Sequence, residues 1–261
     1  MGKIPDNDIT ATGAKTASYY EFLVSRYVAP HFTVTIQKAH IKNPNTVTFF
    51  SLLLILAASA MTADLKHLQS FAYRTLIAVI IQLSFILDCS DGQLARITGR
   101  TTKLGAWLDK IFDRVGEFII FSVFGYAAWH LKMNVLFLFL GITTGYCLSA
   151  FTNAMALSSR VICDDTSTVE EVKKEEERQT SQKRKIEDSR FVNVLKKALF
   201  FLNFGIGERY LYLSVFIIIN RLDIMLYIST LLSFMRMIGI SHHFGQYLRT
   251  IDRITLQKKA I

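Results

Sequence analysis

Six stretches of this chain, at about 46–64, 70–88, 105–131, 134–157, 198–220 and 222–240, are apolar over roughly the 18–25 residues that a helix needs to span a bilayer. This repetition predicts an all-α polytopic membrane protein with six transmembrane helices. The chain's 261 residues leave little for a second fold. Composition agrees, with 51% hydrophobic residues against 20% charged and a mean hydropathy of +0.30. Such a balance excludes disorder, a small disulfide-stapled secreted domain and a soluble globular enzyme. Cys89, Cys147 and Cys163 are odd in number and lack metal-ligand spacing, so no disulfide framework is expected. The first seventeen residues are polar and hold no apolar core of a signal peptide.

The formal net charge of +9 is that of many nucleic-acid binders, but its placement points elsewhere. With the N-terminus in the cytoplasm, segments on that side carry 23 Lys and Arg, counting Arg209 at the entrance to the fifth span. The opposite loops carry three: Lys66, Lys132 and Arg221. That asymmetry follows the positive-inside rule and puts both termini in the cytoplasm. The basic balance is therefore read as topology and attraction to anionic lipid, with no nucleic-acid partner.

The chain divides into a cytoplasmic N-terminus (1–45), a membrane domain (46–240) and a basic cytoplasmic tail (241–261). In residues 18–29, Tyr19, Phe22, Leu23 and Tyr27 recur at helical spacing, with Glu21 and Arg26 off that stripe and Pro30 closing the run. This predicts a helix lying in the membrane interface, or one packed beneath the bundle. His242, His243, Phe244, Tyr247, Arg249 and Arg253 resemble a second interfacial segment. Neighbouring histidines diverge by about 100° on a helix, so this pair is read as surface decoration, not metal ligands. Within a charged cytoplasmic loop at about 159–197, residues 164–190 mix acidic and basic side chains with almost no apolar content.

The chemistry is concentrated between Leu87 and Arg114. Asp88 and Asp91 are three apart at the end of the second span, placing both on one side of a last helical turn. Asp109 and Asp113 are four apart in an otherwise apolar helix, hence also on one face. A charge at membrane depth costs about 3 kcal/mol by insertion-based estimates, and four like charges repel one another. These carboxylates therefore need positive partners. Lys110 and Arg114 each follow an aspartate by one position, which turns them to another face. Divalent cations fit better, and an all-oxygen ligand set favours Mg²⁺, Mn²⁺ or Ca²⁺ over zinc. Interhelical ion pairs, or a lining for an ion pathway, are the plainer alternatives.

The residues obey the pattern D-x2-D-G-x2-A-R-x8-G-x3-D-x3-D without departure, through Asp88, Asp91, Gly92, Ala95, Arg96, Gly105, Asp109 and Asp113. By this signature the chain resembles the CDP-alcohol phosphotransferase family of integral membrane enzymes. The Asn43-Pro44-Asn45-Thr46-Val47-Thr48 segment is similar to an element that opens the first span in many members. The resemblance implies a metal-dependent enzyme of phospholipid synthesis. The hydroxyl of a small alcohol or polyol would attack a CDP-linked lipid donor, usually CDP-diacylglycerol, and CMP would leave. It further implies two Mg²⁺ ions, with Mn²⁺ as a substitute, held by Asp88, Asp91, Asp109 and Asp113. Asp113 would be the base that takes the acceptor's proton.

Donor contacts implied by the resemblance are Asn45, Thr48, Gly92, Ala95, Arg96, Thr102 and Gly105. As acceptor contacts it offers Arg160 after the fourth span and Arg209 in Gly207-Glu208-Arg209-Tyr210, the latter equally read as an interfacial anchor. A phosphorylated polyol, an unphosphorylated alcohol, and the reverse arrangement of a soluble CDP-alcohol meeting diacylglycerol all stay open. So does a cation transporter built on the same aspartates. Relatives of this kind are homodimers, which is the expectation here.

Overall fold

In a computed structural model of the chain, residues 19–163 and 205–259 are described; for 151–163 and most residues beyond 239 only the path of the helix is given. Every regular element among the described residues is helical, and none is a strand. Two compact units emerge, Met1–Leu148 with Phe204–Leu231 and Ser149–Asn203 with Leu232–Ile261. The charged loop at 164–190 and the start of the fifth apolar stretch, 198–204, lie outside the described residues.

Among the described residues each of the six apolar stretches is occupied, wholly or in part, by a helix: α3 (Pro44–Ala63), α4 (Phe71–Ile97), α5 (Lys103–Lys132), α6 (Leu136–Cys163), α7 (Ile206–Ile218) and α8 (Leu222–Lys259). Among the described residues three segments are long and apolar enough to cross a membrane: Pro44–Ala63, Phe71–Ile97 and Leu222–Gly239. Leu136–Ala150 is a shorter apolar stretch. Helix α5 misses that standard because charged residues, including Asp109, Lys110, Asp113, Arg114 and Glu117, occupy its first half.

Three expected boundaries move. Pro30 does not end the N-terminal helix. The chain runs through α1 (Tyr19–Leu23), a π-helical turn (Val24–Val28) and α2 (Ala29–Lys38), with Pro30 in the first turn of α2. Proline has no amide hydrogen to lose there, and the wider turn, closed from the Ala29 N–H to the Val24 carbonyl, makes room for its ring. Helix α4 does not stop at the turn of Asp88 and Asp91 but continues to Ile97, because Gln93 and Leu94 go on packing inward. It stops at Gly99, whose φ of 65° lets the Gly99 and Arg100 amides turn back to the Arg96 and Ala95 carbonyls. Nor are residues 242–253 a separate segment, since α8 is continuous for 38 residues to Lys259. The side chains of His242, His243, Phe244, Tyr247 and Arg253 lie outside the description.

The first unit packs around α4. The Ser84 hydroxyl donates to the Ser51 carbonyl on α3 at 2.8 Å, and the Gln82 amide donates to the Tyr210 carbonyl and Ser214 hydroxyl of α7. Phe85, Phe121, Phe124, Ile55, Ile81 and Ile217 fill the core with essentially no exposure. At one end Arg74 donates to the carbonyls of Ile218, Leu68 and Gln69, tying the α3–α4 loop to the end of α7.

Helices α5 and α6 meet backbone to backbone through glycine. A Cβ on Gly141 would lie 2.5 Å from the Phe121 carbonyl oxygen and 2.8 Å from the Gly125 Cα. Small residues of this kind let helices approach where apolar burial gives no net drive. Gly141→Ala should therefore force the pair apart and cost about 1–3 kcal/mol, seen as a lower melting temperature in detergent. Gly239→Ala, with nothing within 4 Å of the added carbon, should leave that temperature unchanged or slightly higher.

Candidate active site

The site is built by a helical hairpin, the second half of α4 followed by the first half of α5, against the start of α3. Local capping fixes each part. Asn43 caps α3, its side-chain oxygen accepting from the Asn45 amide at 3.1 Å, with Pro44 in the first turn. Gly99 ends α4. Thr102 caps α5, its hydroxyl oxygen accepting from the Gly105 amide at 2.9 Å. The connection between α4 and α5 is thus short and bonded at both ends, which sets the aspartates of the two helices face to face.

Carboxylate oxygens of Asp88, Asp91 and Asp109 all fall within 4.8 Å of one another. Asp113 joins them, its carboxyl lying against that of Asp88. Asp91 is buried, the Thr48 hydroxyl lies against its carboxyl, and its Oδ2 has no hydrogen-bond partner among the described residues. An orphaned buried oxygen within a set of oxygen donors fits a hard divalent cation, which would supply the missing partner. Neither neighbouring base does so. Lys110 is exposed, and Arg114 pairs with Glu117 at 2.6 Å, one turn beyond Asp113. The expectation that these two bases face away from the aspartates agrees with this geometry.

Beside the carboxylates opens a cavity of about 210 Å³, lined by Asn45, Thr48, Asp91, Gly92, Ala95, Arg96, Thr102, Gly105 and Asp109 among others. All seven positions expected to touch a donor lie on its wall. A Cβ on Gly105 would come 2.9 Å from Asn45 Oδ1 and 3.0 Å from Thr102 Oγ1, so glycine lets these two polar groups converge. Gly92 differs. Its added Cβ would meet only the Arg96 side chain, at an ordinary 3.4 Å, so no neighbouring helix requires glycine there. Its bare face is cavity wall.

The two acceptor candidates fare differently. Arg209 is buried and pairs with Glu117 at 2.6 Å, while its Nε donates to the Gly205 carbonyl. It is therefore not an exposed interfacial anchor. Arg160 lies on α6, in the part whose side chains are not described. The sequence reading missed Glu117, which holds Arg114 and Arg209 together. It stands four residues after Asp113, as Asp113 does after Asp109, and that spacing was the available signal. Arg100 and Thr101, also on the cavity wall, were missed because they belong to a connection with no periodicity to read.

Comparison with known proteins agrees with the geometry. The family model for CDP-alcohol phosphatidyltransferase matches residues 41–174, a range that holds every site element from Asn43 through Arg160. Over 109 residues the chain is 32% identical to the bifunctional IPC transferase and DIPP synthase of Aquifex aeolicus, covering 42% of this chain and 21% of that protein. Identity is 34% over 104 residues with the archaetidylinositol phosphate synthase of Aeropyrum pernix, covering 40% of this chain and 50% of that one. With the phosphatidylinositol phosphate synthase of Streptomyces avermitilis it is 42% over 52 residues, 20% of each. The chain thus spans half or less of the length of these three relatives. Taken with the unbroken aspartate pattern and the cavity it borders, the match over more than half its residues shows that this chain belongs to the CDP-alcohol phosphatidyltransferase family.

Proposed function

We propose that the protein transfers a substituted phosphoryl group from a CDP-linked lipid donor, of the CDP-diacylglycerol kind, to the hydroxyl of a small polyol or polyol phosphate, releasing CMP. One observation carries this reading: three carboxylates clustered within 4.8 Å, two of which, Asp91 with its orphaned oxygen and Asp109, stand on the wall of a cavity that also holds Arg96, Asn45 and Thr48. The names of the Aeropyrum and Streptomyces relatives, synthases of archaetidylinositol phosphate and phosphatidylinositol phosphate, favour an inositol-type acceptor.

In this reading Asp88, Asp91, Asp109 and Asp113 hold two Mg²⁺ ions, for which Mn²⁺ can substitute. When bound, such ions would neutralise the donor pyrophosphate and the charge that develops on departing CMP. Arg96 adds a fixed positive charge on the same wall. Asn45, Thr48 and Thr102 offer polar contacts to the nucleotide, and Gly92, Ala95 and Gly105 keep the wall shallow enough for it to lie close. The acceptor oxygen forms a bond to the phosphorus that carries the lipid, the bond to CMP breaks, and CMP leaves with that electron pair. Asp113 receives the hydroxyl proton as attack makes it acidic. Arg209, fixed by Glu117, and Arg160 are the acceptor-side candidates. The protein is read as a homodimer with a six-helix membrane domain. Its termini and site face the cytoplasm, and α1 and α2 lie along the interface with Tyr19, Phe22 and Tyr27 outward.

The test is CMP release by purified protein in lipid nanodiscs with CDP-diacylglycerol and Mg²⁺, across glycerol 3-phosphate, serine, inositol, inositol phosphate and choline. Release should require an acceptor and be greatest with inositol or its phosphate. Turnover of CDP-choline with diacylglycerol instead would reverse the donor assignment, and cation flux without nucleotide turnover would replace the enzyme by a transporter. Asp113→Asn should lower kcat by about 100-fold or more; undiminished turnover would remove Asp113 as the base. Gly105→Ala, by pushing Asn45 and Thr102 aside, should raise the KM for donor by roughly tenfold, about 1.4 kcal/mol, with a smaller effect on acceptor KM.

A further inference from the structure

The α4 turn that carries Asp91 is gripped from behind by the N-terminal segment. Asp91 and Gly92 face the cavity, while Ser90 and Gln93, on either side of them in sequence, are fully buried against α2 and the π-helical turn. The Gln93 amide donates to the Ser25 carbonyl at 2.5 Å, and its oxygen accepts from the Thr33 hydroxyl at 3.1 Å. The Thr33 hydroxyl also lies 2.9 Å from the Ala29 carbonyl and 3.5 Å from the Ser90 carbonyl, and the Ser90 hydroxyl, which donates to the Ile86 carbonyl of its own helix at 2.7 Å, lies 3.3 Å from the Ala29 carbonyl. The other end of the segment is anchored as well. Tyr20 donates its hydroxyl to Gln82 and its amide to Glu208, and a Cβ on Gly207 would collide with the Glu21 backbone at 2.7 Å. A buried glutamine with both ends of its amide bonded fixes the rotation of its turn, and every partner here belongs to the segment that precedes the membrane helices.

We infer that the Ser25–Thr33 segment, acting through Gln93, is a positioning element that holds the Asp91 turn in the orientation needed to bind a divalent cation. The inference rests on the cation site of the proposed function. Groups that orient ligands in this way commonly change metal affinity by about 10–100-fold when removed.

The test is Mn²⁺ binding to purified, donor-free protein in detergent, read by the loss of the free-ion EPR signal, with the metal-free melting temperature recorded in parallel. Gln93→Met keeps the side chain's volume but removes both polar ends. Thr33→Val is milder, removing one hydroxyl and leaving the bond to Ser25. Both should weaken Mn²⁺ binding, Gln93→Met by about tenfold or more. The double variant should be no weaker than Gln93→Met alone, since the two act through one bond. Thr75→Val, near the other end of α4, where the hydroxyl bonds the Phe71 carbonyl of its own helix, should bind as the parent does. If the parent binds Mn²⁺ in an Asp91-dependent way while Thr33→Val and Gln93→Met bind it equally well, the positioning role is overturned and the cation site stands. No Asp91-dependent binding by the parent would overturn the cation site, and this inference with it. Should Gln93→Met fail to fold, Thr33→Val decides alone.

Discussion

Mutual repulsion among carboxylates is the constraint around which this molecule is arranged. Asp88, Asp91 and Asp109 place oxygens within 4.8 Å of one another, with Asp113 against Asp88, inside a bundle whose other inward residues are mostly apolar. At such separations and in a poorly screening interior, each added negative charge is strongly unfavourable. The nearby bases offset only part of it, since Arg114 and Arg209 form their close ion pairs with Glu117. A fold that keeps four acids together against this repulsion must hold them by its backbone, and a cation then gains what the protein has preassembled.

The holding is done by modest means. Thr102 starts α5 and Gly99 ends α4, so a short connection with bonded ends sets the two helices in register. Asn43 and Pro44 start α3 at the level where Thr48 reaches Asp91 and Asn45 reaches Gly105. Behind the site, Gln93 and Ser90 are bonded to the N-terminal segment, and the same segment is clasped by α7 through Gly207 and Glu208. Farther away, Gly125, Gly141 and Gly145 bring α5 and α6 into backbone contact. Apart from the residues that also line the site, none of these carries the chemistry. Each removes a freedom by which the acidic faces could drift apart.

Much of this was legible in the sequence. Where they are described the apolar runs are helical, and the aspartate pattern named the residues that gather, because their three- and four-residue spacings are the repeat of a helix face. Other features were hidden for physical reasons. Helix α4 runs past the turn of Asp88 and Asp91, because the signal that stops it is glycine at a left-handed position, Gly99. Pro30 seemed a terminator because the π-helical turn that accommodates it leaves no periodic trace. Gln93 and Thr33 are far apart in sequence and ordinary in type, so their bond is a product of packing alone. Arg209 was recognised as important, but its tie to Glu117 could be seen only once α5 and α7 were side by side.

The most direct measurement of the central claim is the position of a bound cation. Crystals of the protein grown with Mn²⁺ and a CDP-linked lipid, measured at the manganese absorption edge, should give anomalous density among the four aspartates, with Mn–O distances of about 2.0–2.3 Å, in the range of small hard divalent ions. Nucleotide density should lie along the wall formed by Asn45, Thr48 and Gly105. Manganese found elsewhere, or aspartates turned apart with nucleotide density outside that cavity, would contradict the account.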